Sequence, residues 1–233
     1  MMRAVGAAAI LMLSCAPGAH AAREPYPARG CPSLDVVFAR GTDEPVGVGE
    51  YGERIVDAVR SRVAPVPVDV YAVDYPATLA FRTSTVDGVA DAVRHLRSVW
   101  STCPGTPVVV GGYSQGAAVA GYLTEPAVPE GVDEAEELVP LSAQEASKVV
   151  AVVLLGTPSA EFTALFGGPP VDIGPLFSGK TLMLCAPGDP ICRTDGDTDW
   201  AAHRSYGEGD LVDQAATFVA EKFTAWKTPH PAR

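Results

Sequence analysis

Apolar runs and amphipathic stretches alternate along this chain. Five runs rich in β-branched and apolar residues read as strands: 34–39, 68–73, Val108–Gly112, Val149–Leu155 and 181–184. Between and after them, Val48–Val63, 86–100, 114–123, 144–148 and 211–226 carry helical spacing or helical composition. Val108-Val109-Val110 and Val149–Leu155 show no polar alternation, as central strands buried on both faces require. Strand–helix alternation of this kind predicts an α/β fold: an open five-stranded parallel sheet covered by helices on both faces. No internal repeat, heptad or linker interrupts the pattern. Residues 22–233 are therefore expected to form one domain.

The third run leads straight into Gly112-Tyr113-Ser114-Gln115-Gly116 and then the helix-forming Ala117–Leu123. Strand, sharp turn, serine and helix make a nucleophile elbow. Gly112 and Gly116 lack Cβ atoms, so strand and helix can close tightly around a strained serine. The helix N-terminus behind Ser114 offers N–H groups to a developing negative charge. The plainer alternative is a tight turn in which Ser114 only caps the helix.

A nucleophilic serine needs a base, and the base an orienting acid. There are four histidines. His20 lies in a segment expected to be removed, and His230 in a Pro-rich tail. His95 falls inside the 86–100 helix, where a surface or half-buried position is expected. His203 follows Ser114 in the order Ser, acid, His that this elbow uses. Asp172, Asp189, Asp195, Asp197 and Asp199 lie between them. Asp189 stands out inside Cys185-Ala186-Pro187-Gly188-Asp189-Pro190-Ile191-Cys192, at the end of the 181–184 strand. Ligands bind at that end of an open α/β sheet, and Pro187, Gly188 and Pro190 suit a rigid turn.

Charge and cysteines narrow the setting. The formal charge is −11. Residues 1–21 have Arg3 near the start, an apolar stretch from Ala4 to Leu13, and Ala19-His20-Ala21 as a cleavage signal. Their loss as a signal peptide leaves 16 basic against 28 acidic side chains, a charge of −12. That balance argues against nucleic acid or an anionic membrane surface as partner. The apolar stretch is too short to span a bilayer, so no stable membrane insertion is expected. Of five cysteines, Cys15 goes with the signal, and Cys31, Cys103, Cys185 and Cys192 remain. An even set suits an exported protein, and four cysteines allow three pairings. A secreted, extracellular protein is expected; the rival is a lipoprotein anchored at Cys15 after an imperfect lipobox. No metal-ligand cluster or phosphate-binding glycine loop is found, so no metal and no cofactor are expected.

Four stretches together resemble the cutinases, and most closely the cutinase-like serine esterases of mycobacteria and related actinomycetes. They are Ala39-Arg40-Gly41-Thr42 with Glu44, Gly112–Gly116, Cys185–Cys192 around Asp189, and His203-x-x-Tyr206. The resemblance implies a small lidless α/β-hydrolase fold, with Ser114 as nucleophile, Asp189 as acid and His203 as base. It implies an oxyanion hole from the N–H groups of Thr42 and Gln115, with the Thr42 hydroxyl as a third donor. It also implies the pairs Cys31–Cys103 and Cys185–Cys192. By the chain-entropy model the long loop is worth roughly 4–5 kcal/mol and the short one about half that. Two departures stand out. Residues 124–147 are longer and more acidic than in a minimal cutinase, as a solvated loop or a segment shading the cleft. The loop 75–82 lacks the asparagine that fungal cutinases use to support the oxyanion-hole hydroxyl.

Leu79 and Phe81 in one loop and Trp200 in another are candidates for a shallow acyl groove. The expected activity is hydrolysis of short- to medium-chain carboxylic esters, with polyesters such as cutin as further substrates. The partner is thus an ester or lipid substrate, handled by a monomer. The alternatives are a phospholipase A or thioesterase on the same three residues, or a non-catalytic secreted antigen that keeps the fold.

Overall fold

A computed structural model describes residues 30–127, 139–193, 199–207 and 210–228. The strands are β1 (Asp35–Ala39), β2 (Asp69–Ala72), β3 (Val108–Tyr113), β4 (Val149–Leu155) and β5 (Thr181–Leu184). The helices are α1 (Gly49–Val63), α2 (Phe81–Thr102), α3 (Gln115–Tyr122), α4 (Ala143–Ala146), α5 (Ala160–Leu165), α6 (Trp200–His203) and α7 (Asp210–Lys227). The strands form one sheet in the order β2-β1-β3-β4-β5, every pair parallel.

Strand burial follows this order. Every residue of β1, β3 and β4 is buried, whereas the edge strands β2 and β5 are mostly half-buried. The period-2 alternation of side chains sorts the core into two layers. Val37, Val108, Val110, Val152 and Leu154 pack under α2 and α3. Val36, Phe38, Val109, Val153 and Leu155 face α1 and α7. The parallel sheet is thus covered on both faces, as the apolar pattern predicts.

The topology fixes where a site can form. After β1 the chain moves outward to β2, and it returns to pair β3 on the other side of β1. This reversal leaves a crevice at the C-terminal ends of β1 and β3. The loop 40–48 and Ser114 leave the sheet there. The disulfide Cys31–Cys103 ties the chain before β1 to the end of α2. The second, Cys185–Cys192, closes the loop after β5.

Four helices differ from the sequence expectation. α2 begins at Phe81 rather than Val86, although Thr83-Ser84-Thr85 are weak helix formers. Tertiary contacts carry the extra turn: Phe81 and Ser84 are buried, and the Ser84 hydroxyl donates to the Gln115 side chain at 3.0 Å. α5 was not foreseen; it is short, and Ser159 caps it by accepting from the Phe162 N–H at 3.1 Å. The stretch read as a loop around His203 contains the one-turn α6, capped by Asp199. α4 occupies 143–146, a residue or two from the expected bounds, and has a Ser142–Glu145 capping box.

Candidate active site

Ser114 sits at the turn from β3 into α3 with φ 55° and ψ −119°. Positive φ is costly for a residue with a Cβ, so the surroundings must impose it. They do so through two glycines. A Cβ on Gly112 would lie 2.0 Å from the Gly116 carbonyl oxygen, and one on Gly116 would lie 2.0 Å from the Ala39 carbonyl oxygen. The elbow is therefore pressed against both its own strand and the end of β1. Ser114 occupies the N-cap position of α3, but its side chain makes no capping hydrogen bond. Instead Ser114 Oγ lies 2.9 Å from His203 Nε2.

The chain of contacts continues inward. His203 Nδ1 lies 2.8 Å from Asp189 Oδ2. Asp189 is fully buried. Its Oδ1 accepts from the Ile191 N–H at 2.8 Å, and its Oδ2 also accepts from the Tyr206 hydroxyl at 2.6 Å. Burial alone would push this carboxyl up; the hydrogen bonds from His203, Tyr206 and Ile191 outweigh it and hold Asp189 below the usual carboxylate range. The ring of His203 stacks near Tyr113, with centroids 5.0 Å apart, and the Tyr113 hydroxyl donates to the His203 carbonyl at 2.5 Å. Gly156, at φ 58°, leaves room for both rings: a Cβ there would lie 3.1 Å from His203 and from Tyr206.

Thr42 and Gln115 line the same cleft as Ser114 and His203. The loop carrying Thr42 is braced by neighbours. Glu44 accepts from the Gly41 N–H at 2.6 Å and from the Glu50 N–H at 2.9 Å. The Asp43 N–H bonds to the Ala77 carbonyl at 2.8 Å. Arg40 donates to the Tyr75 carbonyl at 2.8 Å and to the Glu44 carbonyl at 3.0 Å. The loop without the fungal asparagine has its own support. Ser84 donates to the Gln115 side chain at 3.0 Å and accepts from the Thr78 N–H at 3.2 Å, and Gln115 donates to the Thr78 carbonyl at 2.8 Å. Ser84 and Gln115 are both buried. The sequence marked Gln115 for its N–H only and gave no signal for Ser84.

Leu79, Phe81 and Trp200 all reach the cleft. They differ in exposure: Leu79 and Trp200 are exposed at the rim, while Phe81 is 5% exposed and part of the wall. Phe162, Phe166, Pro158 and Ile191 complete the apolar lining. Phe81, Phe166 and Phe162 form a row with centroids 6.2 and 5.2 Å apart. Phe162 of α5 and Phe166 at its C-terminal cap were missed because α5 itself was missed. Glu44, Glu50, Tyr51 and Arg204 supply the polar part of the lining.

The remaining candidates lie elsewhere. His95, expected at a surface or half-buried position, is half-buried, with its side chain 10% exposed. It points inward from α2 because the buried carboxylate of Asp35 needs a partner, at 2.7 Å from Nε2. Asp172 contacts Glu125 through its N–H, remote in contacts from Ser114, and Asp199 caps α6. His20, His230, Cys15, Asp195, Asp197, the expected signal peptide 1–21 and residues 128–138 of the acidic stretch lie outside the described residues. Among the described residues no His/Cys/Asp/Glu group could hold a metal ion. No described helix is long and apolar enough to cross a membrane.

The cutinase family model matches residues 30–223. The chain is 40% identical over 227 residues to the carboxylesterase Culp1 of Mycobacterium tuberculosis, covering 95% of both chains. It is 38% identical over 222 residues to the phospholipase Culp4 of the same organism, covering 95% of this chain and 90% of the relative. Among solved structures, Trichoderma reesei cutinase in complex with a phosphonate inhibitor superposes with a TM-score of 0.63 at 32% identity, over 83% of this chain and 77% of that one. A buried five-stranded parallel sheet, an elbow serine at its switch point and a match over nearly all the described residues lead to one conclusion: this chain belongs to the cutinase family.

Proposed function

We propose that the protein is a secreted serine carboxylic ester hydrolase that works through Ser114, His203 and Asp189 by way of an acyl-enzyme. The observation that carries this reading is the unbroken hydrogen-bonded series Ser114–His203–Asp189 at the floor of an apolar-walled cleft. In it, His203 Nε2 accepts the Ser114 proton as Oγ attacks the ester carbonyl. Asp189 fixes the imidazole through Nδ1 and offsets the charge that develops on the ring. N–H groups of Thr42 and Gln115 receive the tetrahedral oxyanion. His203 then protonates the leaving alcohol, and water repeats the sequence on the acyl-enzyme.

The row Phe81, Phe166, Phe162 suits an acyl chain, and the exposed Leu79 and Trp200 at the rim suit access without a lid. Short and medium acyl groups, free or in a polyester, are the substrates of this reading. The two disulfides and the leader-like residues 1–21 support export of a single catalytic domain. The likeness to Culp4 favours a second reading, phospholipase activity with the same residues. Rates on p-nitrophenyl esters from acetate to palmitate, beside a phospholipid and a cutin-like polyester, separate the two. Highest kcat/KM between butyrate and octanoate supports the first; a preference for phospholipid over every simple ester overturns it.

A further inference from the structure

Among the described residues Tyr206 is the largest fully buried side chain, and it closes the His203-x-x-Tyr206 pair. Its hydroxyl has three polar neighbours: Asp189 Oδ2 at 2.6 Å, the Ala186 N–H at 2.9 Å and Cys192 Sγ at 3.3 Å. The hydroxyl has one proton to place. The Ala186 N–H is itself a donor, so the oxygen accepts from it. Asp189 is an ionised carboxylate and takes the proton. The sulfur, bound in a disulfide, has no proton to give, so its contact with the hydroxyl is close polar packing. The arrangement has one solution, and it points the phenol at Asp189.

The geometry of that bond has a chemical consequence. Tyr206 and His203 both donate to the same carboxylate oxygen, Oδ2, while Oδ1 takes the Ile191 N–H. We propose that Tyr206 is a positioning residue of the reaction: its hydroxyl holds the Asp189 carboxylate in the orientation that meets His203 Nδ1 and draws charge from the shared oxygen, which sets where the acid limb of kcat/KM falls. This inference rests on the reading of Ser114, His203 and Asp189 given above. Burial and the adjacent Asp189 charge push the Tyr206 phenol well above the usual tyrosine range, so it remains a donor throughout any working pH. The other ionisable groups lining the His203 cleft are Glu44, Glu50, Tyr51, Tyr113 and Arg204. None of them bonds to the Asp189 carboxylate, so a change at Tyr206 acts through Oδ2.

The sign follows. Without the hydroxyl, Oδ2 carries more negative charge and attracts the imidazolium more strongly. The base is then protonated to higher pH, and the acid limb of kcat/KM moves up. A more acidic phenol donates more strongly and moves the limb down. A purely structural tyrosine would change melting temperature and leave the limb in place.

The test uses the full chain and a p-nitrophenyl ester between pH 4 and 9. Tyr206→Phe should raise the acid limb by about one pH unit, the scale of one hydrogen bond to a charged group. Its plateau kcat should fall several-fold as the carboxylate loses a fixed orientation. 3-Fluorotyrosine incorporated at position 206 keeps shape and hydroxyl and should lower the limb; it decides the matter should Tyr206→Phe fail to fold. Tyr122→Phe, which removes a tyrosine hydroxyl bonded to the Pro169 carbonyl at 2.7 Å, controls for loss of a remote bond and should leave the limb unmoved. Fluorophosphonate labelling of Ser114 in the unmodified protein is run alongside. Labelling with an acid limb that does not respond to the change at Tyr206 overturns the positioning role alone. Absence of labelling at Ser114 overturns the reading beneath it.

Discussion

Two His–Asp pairs lie within the described residues, and replacing His95 separates them. Asp35 is fully buried at the start of β1. Its Oδ2 meets His95 Nε2 at 2.7 Å, and its Oδ1 makes no hydrogen bond. His95 in turn stacks on Tyr71 of β2 with centroids 3.6 Å apart. His95→Leu thus leaves a buried carboxyl with neither oxygen paired. Removing one partner of a buried pair costs about 3–5 kcal/mol, and a hydrogen bond to a charged group about 1.5–3 kcal/mol. The small exposure of His95 lets some water reach the gap, which places the cost near 3 kcal/mol. For a domain of this size that is roughly 6–12 °C in melting temperature. Circular dichroism melts at pH 7 give the stability, and kcat/KM against pH at 25 °C gives the chemistry. We expect the melting temperature to fall by that amount, with plateau kcat/KM within about twofold of wild type and the acid limb unmoved. An unchanged melting temperature would refute the packing argument. A displaced acid limb would show that His95 takes part in the reaction, and the assignment of the base to His203 would fall with it.

Three other outcomes follow from the site. Cys185→Ser with Cys192→Ser frees the loop that aims Asp189, so turnover should fall more steeply than melting temperature; equal turnover in the double variant would show that the loop needs no clamp. Ser84→Ala removes the donor to Gln115 and the acceptor for the Thr78 N–H. Its kcat should drop about tenfold with KM little changed, less than the ~10²–10³ of losing an oxyanion donor outright, and a change confined to KM would contradict the support role. Asp189 is held low in the folded state, so its stabilising contribution is present above the ordinary carboxylate range and lost as pH falls through the depressed folded value. Melts from pH 6 to pH 2 should show wild type losing its advantage over Asp189→Asn in the acid; a constant difference between the two would reject that linkage.

The sheet was legible because all five strands are apolar runs, and the two longest, β3 and β4, lie at its centre. Their burial removes polar alternation, and that leaves a mark in the sequence. The elbow was legible because Gly112 and Gly116 answer a steric demand that no other residue meets. The first turn of α2 was not, because Thr83-Ser84-Thr85 fold as helix only through contacts with distant segments. Helix α5 is too short to develop a period, so Phe162 and Phe166 could not be placed at the cleft. The inward turn of His95 depends on Asp35, 60 residues away on another element, and helical periodicity carries no information about such a partner. The shared bonds on Asp189 Oδ2 are likewise invisible along the chain, since His203 and Tyr206 meet it across a disulfide loop.

The central claim is that Ser114 is the nucleophile and that His203 makes it one. Reaction with a fluorophosphonate followed by peptide mass spectrometry tests both halves directly, in wild type, Ser114→Ala and His203→Gln. The account predicts one equivalent of label on the peptide containing Ser114 in wild type. It predicts none in Ser114→Ala, and labelling slowed at least a thousandfold in His203→Gln, with all three proteins giving the same circular dichroism spectrum. Label on another residue in wild type, or a normal labelling rate in folded His203→Gln, would contradict it.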